Sequence, residues 1–406
     1  MRINKLVKKV LGEKGIQTAV HWKKMLCLVR ATMNGSKDII TIKDTNNYQL
    51  YHIDGKNVFF GYYDLKSFNR SGNKLIAHIV DKAADPAVDP AQIAWFEPGD
   101  TSPRIIGETK AWCWQQGARL RWHPVEPDVV LYNDFVDDQY VLRKTDVYSG
   151  KSEIIGCGVY DIDSDMKYGV TLNFSRLQCL RPGYGYLNIP DPYENIKAPV
   201  DDGVFLVDMK SGVKKLLYSL SELAETVNGD GYHYINHLSI APNGQSFIFF
   251  HIWTQEQGWK MKLYASDILG TELRILTEND VVSHYCWVDN ENLIITMTSG
   301  EYFHLNINSG RRRKIEGEHL NRDGHPSKYR EGFITDTYPL KNQMQQVFYC
   351  NFDGTGYHEL ARVFSNPLKY GEHRCDLHPR VESDGRITVD TTAIGGVRSI
   401  LEFNIN

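Results

Sequence analysis

The sequence predicts an all-β chain: a seven-bladed β-propeller carrying a short basic helical segment at its N-terminus. Three observations lead there. From residue 46 onward, short runs rich in Val, Ile, Tyr and Phe alternate with turn residues, and no long helical pattern interrupts them. These runs group into similar units, recurring at about 40–55 residues, the period of propeller blades. Four histidines, His237, His284, His325 and His378, take the same place in four successive units. A chain of 406 residues is also long for a single core, which favours repeats or two domains.

Taken in order, residues 1–45 form the first segment. Residues 1–30 hold eight Lys or Arg against Glu13 alone, and Val7, Val10, Leu11, Ile16, Val20, Met25, Leu26 and Leu28 recur with rough helical spacing. A basic amphipathic helix is a membrane-surface or partner-binding segment; a helix packed on the main domain is the alternative. Residues 46–406 form the propeller. Its units are FGYYDLKSFNRSGNKLIAHIV, GARLRWHPVEPDVVLYNDF, YDIDSDMKYGVTLNF, NHLSIAPNGQSFIFFHIW, SHYCWVDNENLIITM, GHPSKYREGFITDTY and LHPRVESDGRITVDTT. Each is a strand, a turn and a second apolar strand. A third strand then closes on Ser149-Gly150, Ser211-Gly212, Ser309-Gly310 or Asp353-Gly354 where the turn is clear. The third unit carries a long insertion between its strands, and long loops in compact domains are usually functional or disordered. A β-helix needs a shorter period, and two sandwiches would not show seven turns in register.

The register locates the chemistry. His237, His325 and His378 each stand seven residues before a turn glycine (Gly244, Gly332 and Gly385), and His284 aligns through HYCWVDN. A side chain repeated at one site of a radial unit returns to one radius, so the four imidazoles are expected to converge on the central channel. The second unit places Arg119 at that site with Arg121 two residues on, and the first has Tyr62, Tyr63 and Asp64 just before it. The ends of the second strands give another candidate ring: His78, Asn133, Asn173, His251, Asp336 and Asp390. The third unit adds Arg176, Arg181, Tyr184 and Tyr186. Three neutral imidazoles on adjacent blades suit a divalent metal and leave coordination positions open; the expected trio is His284, His325 and His378, with His373 or Cys375 nearby. The competing reading has each histidine bonding backbone carbonyls and closing its blade. His123 falls at a turn, and Trp112 and Trp114 read as core.

Composition excludes several classes. A net charge of −4 gives no bulk attraction to nucleic acid. No run is long and apolar enough to cross a membrane. The start lacks an apolar core and a small-residue cleavage site, and the seven scattered cysteines suggest reduced thiols, so a cytoplasmic location is expected. There is no Walker loop, no dinucleotide glycine fingerprint and no nucleophile elbow, hence no nucleotide cofactor motif.

The phrases NHLSIAPNGQSFIFFHIW, DGHPSKYREGFITDTYP and CDLHPRVESDGRITVDTT, with GYYD and GARLRWHP, resemble the β-propeller polysaccharide lyases. These are the oligogalacturonate and ulvan lyases, with related propellers of bacterial surface-polysaccharide gene clusters. The resemblance spans roughly residues 50–406. It implies β-elimination on an acidic, uronate-containing oligo- or polysaccharide, with a divalent metal (Mn, Zn or Ca) at a histidine site. It implies that Arg119, Arg176 or Arg181 holds the carboxylate, that His237 is the base and Tyr184 acid or base, and that His284, His325 and His378 are the ligands; His251 joins the catalytic candidates. The basic front segment departs from secreted lyases and favours a cytoplasmic role, peripheral at the inner membrane face where surface polysaccharide is assembled. A glycosyltransferase-like assembly protein and a non-catalytic scaffold are the alternatives.

Overall fold

A computed structural model describes residues 5–43, 47–227, 229–277 and 280–405, with side chains from residue 15. Seven antiparallel sheets follow one another along the chain as the blades of a propeller. The second runs through Arg121–Trp122, Val129–Val136, Gln139–Asp146 and Ser152–Cys157, innermost strand first. The fourth runs through His233–Ile240, Ser246–Gln255, Gly258–Asp267 and Leu273–Ile275. Middle strands are covered on both faces by neighbouring blades, so they are almost continuously apolar rather than alternating. SFIFFHIWTQ in the fourth blade is buried over seven consecutive positions.

The closing turns share a chemistry that explains their recurrence. In Asp146, Asp208 and Asn306 a side-chain oxygen accepts from the backbone N–H and the hydroxyl of the serine three residues on (Ser149, Ser211 and Ser309). The glycine after each serine has φ near 67–69°, where a Cβ would be strained.

The ring is closed by the front of the chain. Gln49–Tyr51 pairs with Ser399–Phe403 and becomes the outermost strand of the seventh blade. Tyr51 donates to Glu402, 351 positions away in sequence, at 2.6 Å. Ile40–Ile42 pairs with His358–Phe364 and gives the sixth blade a fifth strand, so a strand from ahead of residue 46 is part of the propeller sheets. The helix Lys5–Met33 precedes it, with Leu28 and Ala31 set against the apolar cluster of the sixth and seventh blades.

Four members of the expected ring of second-strand ends, His78, Asn133, Asp336 and Asp390, have a structural role that Thr296 shares, whereas Asn173 caps the helix Phe174–Leu180. His78 accepts from Ala118 N–H, Asn133 bonds both backbone groups of Val159, and Thr296 donates to Gly324 C=O. Asp336 accepts from His378 N–H, and Asp390 from Phe60 and Gly61 N–H. Each of these side chains staples its blade to the innermost chain of the next one, replacing ladder bonds that separate sheets cannot make. Burial lowers the His78 pKa from 6.5 to about 4, because the buried ring must stay neutral. With the folded pKa below the unfolded one, the unfolded chain binds the extra proton. Stability is therefore full above about pH 6.5 and falls as pH drops toward 4. His78 alone removes on the order of 2 kcal/mol by pH 5. Urea midpoints at pH 7.5 and pH 5, above the ordinary carboxylate range, should differ accordingly; equal midpoints would contradict this.

Candidate active site at the propeller hub

The four repeated histidines meet. Ring centroids are 3.9 Å apart for His284 and His325, 4.4 Å for His325 and His378, and 6.1 Å for His237 and His284. All four are buried. Local backbone geometry drives the convergence. Arg119, His237 and His378 share a left-handed conformation, with φ of 53°, 52° and 49°. His237 sits in a β-bulge between Asn236 and Ser239, which turns its side chain off the strand face and into the hub. Such conformations are uncommon for a non-glycine residue and cluster at functional sites. Before His325, a Cβ on Gly324 would come 2.1 Å from the Asp336 carbonyl, so only glycine lets these strands approach so closely.

Second partners fix the rings. His325 Nδ1 lies 2.8 and 3.0 Å from the two oxygens of Asp336, and His378 Nδ1 lies 2.7 Å from Gly61 C=O. Both acceptors require Nδ1–H, and the Nε2 atoms of His325 and His378 are buried without a hydrogen-bond partner among the described residues. The Asp376 carboxylate joins them: ligand atoms of His325, Asp376 and His378 lie within 4.8 Å of one another. His284 stands beside this group, its Nδ1 3.3 Å from Asp323. The third clustered donor is therefore Asp376, which stands two residues before His378 in the sequence. His373 instead packs against Trp114, ring centroids 5.2 Å apart and tilted, and the Cys375 thiol is directed to the Asp376 carbonyl and pushed up to about 12 by burial. Burial pulls the His325 pKa down, but the charge and hydrogen bond of Asp336, together with the charges of Asp376 and Asp323, outweigh it and the net direction is up. His378 and His237 are held well below 6.5 by burial, reinforced at His378 by the charge of His325 and at His237 by that of His284.

A cavity of about 340 Å³ opens against this hub, lined by His237, His284, Asp323, Tyr338, Arg181 and Arg374 among others. Within it, His237 is gripped from three sides. Its Nε2 meets the Tyr62 hydroxyl, its carbonyl accepts from Tyr285 at 2.7 Å, and its ring stacks on Phe250 at 4.7 Å. Its Nδ1 has no partner among the described residues.

The arginines part company. Arg119 makes a two-pronged ion pair with Asp64 at 3.1 and 2.8 Å, and its Nε bonds Tyr160 C=O; its donors are committed inside the protein. Arg176 bonds Asp191 and the carbonyls of Tyr193, Ile196, Lys197 and His233, tying down the long insertion rather than facing the cavity. Arg181 differs. It lines the cavity, has its Nε buried without a hydrogen-bond partner, and lies 4.8 Å over the Tyr184 ring and 5.6 Å from Trp259. Tyr184 supports both cavity arginines, since its hydroxyl also accepts from Arg374 at 2.7 Å while Arg374 grips Asp376. His251 points to the opposite face of its strand from Phe250, bonds His233 at 2.8 Å and packs on Trp253 and Tyr264, away from the hub.

No protein-family model matches the chain, and no curated protein sequence does. Solved structures do. An oligogalacturonate lyase in complex with manganese superposes with a TM-score of 0.60 at 14% identity, covering 89% of this chain and 96% of the other. A second, from Vibrio parahaemolyticus, gives 0.59 at 11% identity, covering 91% and 97%. The fold is that of the oligogalacturonate lyases. Tricorn protease, at a TM-score of 0.52 and 10% identity, matches 84% of this chain but only 34% of its own. The lyases are matched over nearly their whole length. At these identities the likeness fixes architecture, not chemistry.

Proposed function

We propose that this propeller is a carbohydrate-active enzyme that cleaves uronate-containing oligosaccharides by β-elimination, with a divalent metal at the hub. The observation that carries the reading is Arg181, a half-buried guanidinium whose buried Nε has no hydrogen-bond partner and which has no acidic partner among the described residues, on the wall of a cavity that His237 and His284 also line. A sugar carboxylate supplies the missing charge, with Arg374 beside it. Neutral His237, with Nε2–H directed to Tyr62, presents the Nδ1 lone pair as the base that takes the proton on the carbon next to the carboxylate. The electron pair becomes the new C=C bond as the glycosidic C–O bond breaks. The Tyr338 hydroxyl, on the same cavity wall, returns a proton to the leaving oxygen. Tyr184 acts one step back, holding both arginines.

The orphaned Nε2 atoms of His325 and His378 and the Asp376 carboxylate fit a metal. Two nitrogens and one oxygen suit Mn or Zn better than Ca, which prefers an all-oxygen shell. When bound, the cation adds positive charge against the developing carboxylate dianion. Incubation with uronate oligosaccharides and Mn²⁺ should raise ultraviolet absorbance as the unsaturated product forms. The R181Q variant should lower kcat/KM roughly 100-fold. A flat trace across a broad uronate panel, with and without metal, would overturn the proposal.

A further inference from the structure

The helix Lys5–Met33 carries a face that the propeller does not use. Trp22, Leu26, Val29 and Met33 are 66%, 67%, 50% and 81% exposed. Their spacing of four, three and four residues places them on one side of the helix, opposite Leu28 and Ala31, which are set against the sixth and seventh blades. Four large apolar side chains in line, on a helix anchored through its other face, are not scattered surface residues of the ordinary kind. Charge indicates what covers them. Exposed Arg30 stands about 80° around the helix from Trp22, flanking the stripe. Residues 1–30 hold eight basic residues and one acidic one in a chain of net charge −4, so the remainder is strongly acidic and the molecule is polarised toward this end.

We propose that this helix docks the propeller on an anionic lipid surface, lying in the plane of the interface. No helix among the described residues is long and apolar enough to cross a membrane, which leaves the in-plane arrangement. An apolar stripe with an interfacial tryptophan and a basic flank supplies the two signals that reversible lipid binding needs. Pairing with a second copy would set two strongly basic helices side by side, which their repulsion opposes. The inference is independent of the hub chemistry.

The test is flotation of the full chain with vesicles of phosphatidylglycerol and phosphatidylcholine, and of phosphatidylcholine alone. Retention on the anionic vesicles should exceed that on neutral ones at least tenfold and fall as salt rises. The W22S/L26S double variant should lose at least tenfold in binding while keeping the wild-type melting temperature. Failure to float with anionic vesicles, or binding untouched by the double variant, would overturn the proposal. So would a dimer in light scattering that the double variant dissolves, which would assign the face to a second copy.

Discussion

His237→Asn is expected to lower the β-elimination rate by two to four orders of magnitude, the usual contribution of a positioned general base. Asparagine tolerates the left-handed backbone at φ 52°, so the bulge should survive, but its amide neither reaches nor accepts a proton as the imidazole does. The loss should fall on kcat more than on KM, because the arginines that hold the carboxylate are untouched. Steady-state kinetics on the best uronate oligosaccharide, with melting temperature as the folding control, decides it. A variant within threefold of wild type would remove His237 from the reaction. So would a loss confined to KM.

The second large effect concerns Asp336, which touches no substrate. Its two oxygens serve His325 N–H at 2.8 Å, His325 Nδ1, and His378 N–H at 3.2 Å, so one carboxylate sets two of the three clustered donors. Asparagine offers one acceptor oxygen where three donors need two, and it removes the charge that raises the His325 pKa. Loss of a carboxylate behind a metal-ligating histidine typically costs 10–100-fold in metal affinity. Calorimetric titration of Mn²⁺ into metal-free wild type and D336N should show that drop independently of any activity. Equal affinities would show that the ring is not a metal site organised by Asp336, and absence of Mn²⁺ binding by wild type would refute the site itself.

Much of this architecture was legible in the chain. Blade number follows from the repeat of strand, turn and strand in seven units, and in three of them the Asp/Asn-x-x-Ser-Gly closure satisfies its own backbone groups and needs nothing distant. The meeting of four histidines follows from register, because a ring returns one strand position to one radius. Which charged groups face the cavity did not follow. Arg119, Arg176 and Arg181 are equivalent as letters. Only the fold supplies Asp64 to the first and Asp191 to the second while leaving the third without an acid among the described residues. Asp336 appeared as one member of a ring of strand ends, and its two-histidine role exists only where the sixth and seventh blades touch.

The sequence by itself determined the strand-turn-strand repeat, the number of blades and the shared radius of the histidines, since these depend on local turn chemistry and on periodicity. The tertiary structure alone decided which donors are free and which are already bonded. That depends on partners up to hundreds of residues away, such as Gly61 at His378 and Tyr62 at His237, and no local pattern encodes which partner ring closure will bring.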